Sequence, residues 1–325
     1  MTTAIIIREH GGPEVLTVGA QDVPPPGEGE IGLRQTAVAV NFHDTYVRSG
    51  LYKTLKLPGV PGLEGVGVIT ALGKGVTGFA VGDRVAYMTL GYGGYAAARN
   101  LQAGMAVKIP ANVDDVTAGA AYLKGLTVAC MVRNVHKIAP GKTVLVHAAA
   151  GGVGSLLVQW AKHLGATVIG TAGSTEKLEA ARRSGCAHVI NYREQDFVAA
   201  VRELTGGRGV DVVYDGVGRD TFKGSLEALA LCGHLINFGQ ASGPVDPVAP
   251  TELFVRSATL SRPNVFHYVQ QQRATLENAA AELFRGLAEG WLRIPKPALF
   301  PLTAAADAHK ALESRAISGS IVLQP

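Results

Sequence analysis

Two stretches of the chain hold the residue types from which an active site could be built. The first, AVNFHDTYVRSGLY (39–52), contains Asn, His, Asp, Arg and two Tyr side chains. These groups could ligate a metal, relay a proton or only line a polar loop, because carboxylates, imidazoles and hydroxyls serve all three purposes. The second, HAAAGGVGSLL (147–157), is rich in glycine and alanine, and such turns can bind phosphate through backbone N–H groups.

The elements around the glycine-rich stretch favour a dinucleotide. TVLVH (143–147) has the pattern of a buried strand, the apolar residues after the glycines recur at helical spacing, and TVIGT (167–171) is a second strand. Between the first strand and the helix lies the dinucleotide fingerprint, in the form Ala149-x-Gly151-x-x-Gly154. Gly151 would admit the pyrophosphate, and Gly154 would let the helix pack against the sheet.

This turn has one common alternative ligand. A glycine-rich turn in an α/β domain can also bind S-adenosylmethionine, but strand, turn, helix and second strand are all in register for a dinucleotide here. The cofactor-binding residues predicted for the turn are Ala150, Gly151, Gly152, Val153 and Gly154.

The residues after the second strand favour NADP(H) over NAD(H). A preference for NAD needs an acidic side chain about 20 residues past the motif, which accepts a hydrogen bond from the ribose 2′-OH. Gly173 and Ser174 stand there instead, and Lys177 follows within a turn of helix. A small uncharged site beside a lysine suits a 2′-phosphate, provided that Glu176 points away. Lys177 could otherwise be an ordinary solvated helix residue.

The remaining sequence divides into two kinds of structure. Residues 1 to about 120 contain short strands broken by Gly and Pro. From about residue 122, strands alternate with helices, which predicts a doubly wound parallel sheet. The first region includes the strand candidates AIII (4–7), VLTV (15–18) and EIGLRQTAVAV (30–40), and the second includes FKGSLEALALCG (222–233), interpreted as a helix. After about residue 264 the alternation stops.

Composition narrows the classes of protein that remain. With 47% hydrophobic and 17% charged residues, the chain can bury large cores. The formal net charge of +4 is modest and the Lys and Arg residues are scattered along the sequence, so no dedicated nucleic-acid surface is expected. Three separated cysteines, Cys130, Cys186 and Cys232, form neither a disulfide framework nor a cysteine-rich zinc site. Without a leader pattern or a long apolar segment, we expect a cytoplasmic protein with no membrane partner.

Taken together, these stretches resemble the zinc-independent quinone oxidoreductases of the medium-chain dehydrogenase/reductase superfamily, the group that includes zeta-crystallin. The most specific matches are VNFHDTYVRSGLY, LKGLTV, HAAAGGVG, VINYRE, YDGVGRDT and ESRAISGS. The resemblance implies an α/β protein with a GroES-like, mostly-β catalytic domain and a Rossmann domain that binds NADPH. We place residues 1–122 and 265–325 in the first domain and residues 123–264 in the second.

The resemblance also bears on the catalytic metal of the zinc alcohol dehydrogenases, which share the fold. Laid against their pattern, this sequence fills the three ligand positions with Asn41, Leu63 and Leu123. Leucine cannot bind a metal, and a substitute site from His43, Asp44 and Glu64 would lack the spacing of any known ligand set. We therefore predict no metal, and a carbonyl polarised by hydrogen-bond donors instead.

The family implies roles for the polar residues of the first stretch, which we interpret as a substrate and nicotinamide loop. Asn41 would contact the nicotinamide or its ribose, and Tyr46 and Tyr52 would line the substrate pocket, although both could be packing residues. Arg262 would approach from the other side of the cleft, and Asp44 would orient its neighbours. The implied catalytic residues are Asn41, Asp44, Tyr46, Tyr52 and Arg262.

His43 stands where close family members often carry an apolar residue, and we interpret it as packed or facing solvent. Further cofactor contacts are implied by position alone. Besides the glycine-rich turn, the implied cofactor-binding residues are Asn41, Tyr46, Thr127, Gly173, Ser174, Lys177, Tyr192, Val217, Phe238, Gly239, Gln240 and Arg315.

The resulting prediction is an NADPH-dependent quinone reductase that works without zinc. An NADPH-dependent reductase of C=C bonds in enals or enones would use nearly the same pocket. From another class, an RNA-binding protein with which NADPH competes, or a structural crystallin-type protein, is a further alternative. The resemblance implies a homodimer joined through sheet edges near residues 235–262. The physiological substrate, any general acid and the choice between one- and two-electron transfer stay open.

Overall fold

The chain forms two compact units, neither of them continuous in sequence. The computed structural model describes residues 1–314, 317 and 319–325. Unit 1 comprises Met1–Leu123, Gln272–Ala288 and Ile294–Pro325, and unit 2 comprises Lys124–Gln271 and Glu289–Arg293. The boundary predicted at 264/265 differs from this division, because residues 265–271 group with unit 2.

The secondary structure is as follows. The strands, in chain order, are β1 (Thr2–Ile6), β2 (Thr17–Gln21), β3 (Glu30–Val40), β4 (Glu64–Leu72), β5 (Arg84–Met88), β6 (Ala98–Gln102), β7 (Ala106–Lys108), β8 (Thr143–Val146), β9 (Thr167–Ala172), β10 (His188–Asn191), β11 (Val210–Asp215), β12 (Leu229–Asn237), β13 (Thr259–Ser261), β14 (Ala298–Pro301) and β15 (Ile321–Gln324). The helices are α1 (Phe42–Ser49), α2 (Asp115–Cys130), α3 (Gly152–His163), α4 (Thr175–Ser184), α5 (Phe197–Leu204), α6 (Phe222–Ala228), α7 (Pro250–Phe254), α8 (Val265–Gln271), α9 (Arg273–Glu289) and α10 (Ala305–Glu313).

Strand β3 pairs with three other strands of unit 1, namely β4, β6 and β15. Among the described residues, the main sheet of this unit has seven strands in the order β14-β15-β3-β4-β5-β7, with β6 also paired to β3. The predicted strand EIGLRQTAVAV coincides with β3. Its last residues, Val38–Val40, are buried and pair with β15. The chain therefore leaves a fixed sheet at Asn41.

Unit 2 is the predicted doubly wound sheet. Its six described strands run parallel in the order β10-β9-β8-β11-β12-β13. The chain winds outward from β8 to β10, then returns to begin the other half at β11, which pairs with β8. Ligands of open α/β sheets bind at such a switch point, outside the carboxyl ends of the strands. The α/β fold class is thus confirmed.

Two predicted elements are wrong in detail. The segment 222–233 is not one helix, because α6 ends at Ala228 and Leu229 already pairs with Val210 in the sheet. The Leu–Ala–Leu sequence favours helix locally, but sheet pairing overrides that preference. The segment VLTV is also not one strand, since a 3₁₀ turn starts at Pro13 and β2 begins only at Thr17.

Trp291 accounts for the short return of the chain to unit 2. Its ring meets Trp160 edge to face at 5.5 Å and stacks on His163 at 3.9 Å. Gln159 donates to the carbonyl of Arg293 at 3.0 Å and accepts from its N–H at 2.7 Å. These partners are distant in sequence, so no local pattern predicts the return. In the described part of the chain, no helix is long and apolar enough to cross a bilayer.

Candidate functional site

The predicted substrate loop is largely a helix, so its interpretation as a loop is wrong. Asn41 has the extended backbone of an N-cap (φ −122°, ψ 156°), and its N–H donates to Asp44 Oδ2 at 2.8 Å. Gly50 ends α1 in the left-handed conformation, at φ 81°. An Asn followed three residues later by an acidic residue resembles a capping box, and this spacing could have predicted the helix.

The Asn41 side chain is held by a buried carboxylate. Asn41 Nδ2 donates to Glu64 Oε1 at 2.8 Å, and the N–H of Leu123 donates to Glu64 Oε2 at 2.8 Å. Glu64 is only 1% exposed. It therefore joins the end of β3 to the middle of α2 and orients the Asn41 amide. No group of three or more His, Cys, Asp or Glu side chains that could hold a metal occurs among the described residues.

Behind α1, a buried polar network holds Asp44. Tyr95 Oη donates to Asp44 Oδ2 at 3.2 Å and lies 2.9 Å from His309 Nε2. Arg48 can only donate, so His309 Nδ1 accepts from it at 3.2 Å and His309 Nε2–H donates to Tyr95. Arg48 also donates to both carboxylate oxygens of Glu313, at 3.0 and 2.6 Å. Asp44 thus has fixed partners, which favours the orienting role over proton transfer.

On the other side of α1 lies an aromatic cluster. The Tyr46 and Tyr52 rings meet edge to face at 5.3 Å, and the His43 ring meets Tyr52 at 5.2 Å. Tyr92, which the sequence did not single out, follows at 6.3 Å from His43. Burial lowers the pKa of His43 to about 4, so its imidazole is neutral at pH 7. Unit 1 therefore brings both predicted pocket tyrosines together around a neutral histidine.

The glycine-rich turn of unit 2 is tightly folded at the switch point. It follows β8 with Ala148 at φ 50°, and the N–H of Gly151 donates to the Ala148 carbonyl at 2.8 Å. A Cβ on Gly154 would stand 2.2 Å from that carbonyl oxygen. Helix α3 begins at Gly152, and the first N–H groups of a helix have no acceptor within it. The turn, including Ala150 and Val153, thus offers donors to an anion.

A second loop of unit 2 is held by Asp215 at the end of β11. Asp215 Oδ1 accepts from the N–H groups of Val217 and Gly218 at 2.8 and 3.0 Å. Asp215 Oδ2 accepts from Ser225, which lies 3.0 Å from His147 at the end of β8. These buried bonds tie the Val217 loop to the strand that precedes the glycine-rich turn.

Arg262 is engaged within unit 2. Its guanidinium donates to the Asn237 carbonyl at 3.1 Å, to the Gly239 carbonyl at 2.8 Å and to Gln240 Oε1 at 3.2 Å. It thereby orders the segment Phe238–Gln240 after β12. This position makes Arg262 a support of the loop, and its contact with substrate stays a prediction.

The residues expected at the 2′-phosphate lie together. Ser174 caps α4 by accepting from the N–H of Lys177 at 3.4 Å. A Cβ on Gly173 would stand 2.4 Å from Tyr192 Oη and 3.2 Å from Arg193 Nε. Arg193 was missed by the sequence prediction, although it follows Tyr192 directly. Gly173 is therefore flanked by a hydroxyl and a cation that could bind an anion.

Glu176 was expected to point away from the 2′-phosphate, and Thr127 and Arg315 were expected to contact the cofactor. Glu176 is exposed, and Thr127 is half-buried on α2. Arg315 lies outside the described residues.

Three histidines make stability sensitive to mild acid. Burial lowers the pKa of His43 and His234 to about 4, and burial with the Arg48 guanidinium lowers that of His309 to about 3, from an ordinary 6.5. Below about pH 6.5 the unfolded chain binds more protons than the folded chain, so the free energy of unfolding falls with pH. We expect Tm to decrease from pH 6.5 to 5 and to change little with these groups above 6.5.

Thermal melts between pH 5 and 8 test this expectation. In His309→Asn the decline of Tm towards acid should be shallower than in the wild-type protein, even if that variant is less stable throughout. A wild-type Tm that stays level between pH 6.5 and 5 would contradict the assignment.

The chain is similar to known proteins over its whole length. The Alcohol dehydrogenase GroES-like domain family matches residues 27–111, and the Zinc-binding dehydrogenase family matches residues 152–285. A 2-haloacrylate reductase from Burkholderia sp is 43% identical over all of this chain and 99% of that protein. Quinone oxidoreductase 1 of Escherichia coli (strain K12) is 42% identical over the full length of both. The solved structure of Escherichia coli quinone oxidoreductase complexed with NADPH matches 99% of this chain and all of its own, with a TM-score of 0.97.

Proposed function

Because the chain belongs to the zinc-independent quinone oxidoreductases of the medium-chain dehydrogenase/reductase superfamily, we propose that it is an NADPH-dependent quinone reductase. It takes NADPH as cofactor and a small-molecule quinone as substrate. The observation that carries this function is the 42% identity to quinone oxidoreductase 1 of Escherichia coli over the whole chain. The solved structure of Escherichia coli quinone oxidoreductase, which contains NADPH, has the same fold as this chain.

The residues of unit 2 fit a dinucleotide phosphate. Gly154 meets the Ala148 carbonyl too closely for a side chain, and Gly151 caps α3 where helix N–H groups are available. A pyrophosphate would be held there by those N–H groups and the positive end of the helix. Lys177 and Arg193 supply positive charge for a 2′-phosphate. When bound, the nicotinamide supplies the reducing equivalents.

In unit 1, side chains of the protein bind the nicotinamide and the quinone and polarise the quinone oxygen. We assign the Asn41 amide, fixed by Glu64, to the nicotinamide or its ribose. We assign Tyr46 and Tyr52 to the quinone. Among the described residues the Tyr52 hydroxyl has no hydrogen-bond partner, so it is free to donate to a quinone oxygen as negative charge develops. Asp44, held by Tyr95, keeps the start of α1 in place.

Absorbance at 340 nm tests the function. Purified protein is given NADPH or NADH with a small quinone, and then with a simple enone. We expect rapid oxidation of NADPH with the quinone and slower oxidation of NADH. Turnover of the enone alone would replace the proposal by C=C reduction. That alternative matches the name of one 43% identical relative but is not favoured, since three relatives at 42% are named quinone oxidoreductases.

The cofactor preference depends on the cations at Gly173. Lys177→Ala and Arg193→Ala should each raise KM for NADPH about tenfold or more, since each removes a charged hydrogen bond of about 1.5–3 kcal/mol. KM for NADH should hardly change. Lys137→Ala, which removes an exposed lysine of the same unit, is the matched control. Equal effects on NADPH and NADH would show that neither cation binds the 2′-phosphate.

A homodimer and a cytoplasmic location stay predictions. The homodimer is supported by β13, an edge strand of the unit 2 sheet, beside which Leu231, Phe254 and Val255 are 75–83% exposed. Sedimentation equilibrium tests it, and a monomer at micromolar concentration would contradict it. RNA binding that weakens with added NADPH would support the other class of function, but we expect no nucleic-acid partner.

A further inference from the structure

Three polar side chains in unit 1 form a line that the proposed cofactor and substrate contacts do not use. Thr54 is exposed, Tyr92 is 4% exposed and His43 is half-buried. The Tyr92 and Thr54 hydroxyls share a short hydrogen bond, and Tyr92 Oη lies 3.4 Å from His43 Nε2. The line therefore runs from solvent, through a buried phenol, to an imidazole that contacts Tyr52.

The backbone holds Tyr92 in an unfavourable conformation. Its φ of 54° lies in the left-handed region, which a tyrosine rarely adopts. The carbonyl of Tyr92 accepts from Arg99 at 2.6 Å, and the next residue, Gly93, donates to the Val60 carbonyl at 2.9 Å. Such strain persists where surrounding contacts enforce it, and it is concentrated at functional sites. Here the contacts keep the phenol between Thr54 and His43.

His43 has the properties of a relay. Burial lowers its pKa to about 4, so the neutral ring carries one N–H and one acceptor nitrogen. With Nε2 accepting from Tyr92, the proton stands on Nδ1. Among the described residues Nδ1 has no hydrogen-bond partner. One nitrogen thus faces a donor connected to solvent, while the other can donate to a ligand.

The proposed reaction needs such a donor. Quinone, NADPH and one proton give hydroquinone and NADP⁺, and hydride transfer alone leaves negative charge on a substrate oxygen. We propose that Thr54, Tyr92 and His43 form the proton relay that neutralises this oxygen. The inference rests on the proposed quinone reductase function and supplies its missing acid.

The proton balance of the relay is closed. The Nδ1–H bond of His43 breaks as the substrate O–H bond forms, and a new N–H bond forms at Nε2 as the Tyr92 O–H bond breaks. Tyr92 recovers its proton from Thr54, which takes from the solvent the one proton that the reaction consumes. Exchange of the His43 tautomer restores the starting state, and no group is oxidised or reduced.

Steady-state kinetics with NADPH and a quinone test the relay. His43→Phe keeps an aromatic ring against Tyr52, and Tyr92→Phe removes only a hydroxyl. We expect kcat to fall at least about tenfold in each, below the usual range for general acids because water can still deliver protons. KM for NADPH should not change. In His43→Ala, added imidazole should restore kcat, whereas wild-type kcat should not respond to buffer concentration.

The controls separate the possible outcomes. Tyr214→Phe removes another buried hydroxyl, one without a hydrogen-bond partner among the described residues, and should leave kcat unchanged. Circular dichroism confirms that each variant is folded, and imidazole rescue shows that His43→Ala is competent. Wild-type kcat in His43→Phe and Tyr92→Phe, with no response to imidazole in His43→Ala, overturns the relay alone. A wild-type protein that oxidises no NADPH with any quinone overturns the proposed function and the relay together.

Discussion

Replacing Gly154 by alanine is expected to abolish useful NADPH binding. The new Cβ would stand 2.2 Å from the Ala148 carbonyl oxygen and 3.0 Å from Ala149 Cα. These are backbone atoms, and the Ala148 carbonyl is already tied to the N–H of Gly151. Helix α3 would therefore have to move away from the turn. We expect NADPH affinity to fall about 100-fold and the free energy of unfolding to fall by about 3 kcal/mol, at the upper end for overpacking.

NADPH fluorescence titration and urea unfolding measure these two effects. Gly104→Ala is the matched control, because a Cβ there meets nothing within 4 Å. It should change the free energy of unfolding by no more than about 0.5 kcal/mol. Gly151→Ala is an intermediate case, with a contact of 3.1 Å to Ala148, and should reduce binding more than stability. Wild-type NADPH affinity in Gly154→Ala would contradict the assigned turn.

Replacing Glu64 by alanine is expected to impair both stability and catalysis. The change removes the carboxylate that accepts from Asn41 Nδ2 and from the Leu123 N–H. A buried donor that loses its partner costs about 1–3 kcal/mol, so we expect the free energy of unfolding to fall by about 2–4 kcal/mol. The freed Asn41 amide would no longer be oriented for the cofactor. We therefore expect kcat/KM to fall about 100-fold, a loss of about 2.7 kcal/mol in transition-state stabilisation.

Two further variants make this result specific. Glu64→Gln keeps one oxygen and the side-chain shape, so its loss of stability should be smaller than that of Glu64→Ala. Glu28→Ala removes an exposed carboxylate from the same unit and should change neither quantity. Urea unfolding and the absorbance assay supply the measurements. If Glu64→Ala is destabilised but keeps wild-type kcat/KM, Glu64 serves only the fold.

Short-range patterns predicted the parts of the molecule that depend on short-range physics. Strand β3 is an uninterrupted run with strand-like composition, and its predicted bounds match the structure. The fingerprint at Gly151 and Gly154 predicted a strand, a turn and a helix, all of which are present. In these places local preference and tertiary packing agree, so a single sequence carries enough information.

Other features depend on contacts that no local pattern contains. Glu64 reaches Asn41 and Leu123 from a different strand, and Tyr92 meets His43 through a strained turn. From the sequence, Glu64 was discussed only as a candidate metal ligand, and Tyr92 was not singled out. The helix at Asn41 was different, since its capping signal was present but the density of polar residues suggested a loop. The polar side chains of that segment could be identified from the sequence, but the residues to which they hydrogen-bond could not.

The pairing of β3 with β15 has a consequence for how the protein is made. Val40, just before Asn41, pairs with Ile321, so the Val38–Val40 part of this edge of β3 stays unpaired until Ile321 has left the ribosome, although β6 can already pair with residues 30–34. Unit 2, in contrast, draws its entire sheet from Lys124–Gln271. The unit whose synthesis begins first is therefore completed last, and a nascent chain that stops before Ile321 exposes an unpaired strand edge at which other chains can add.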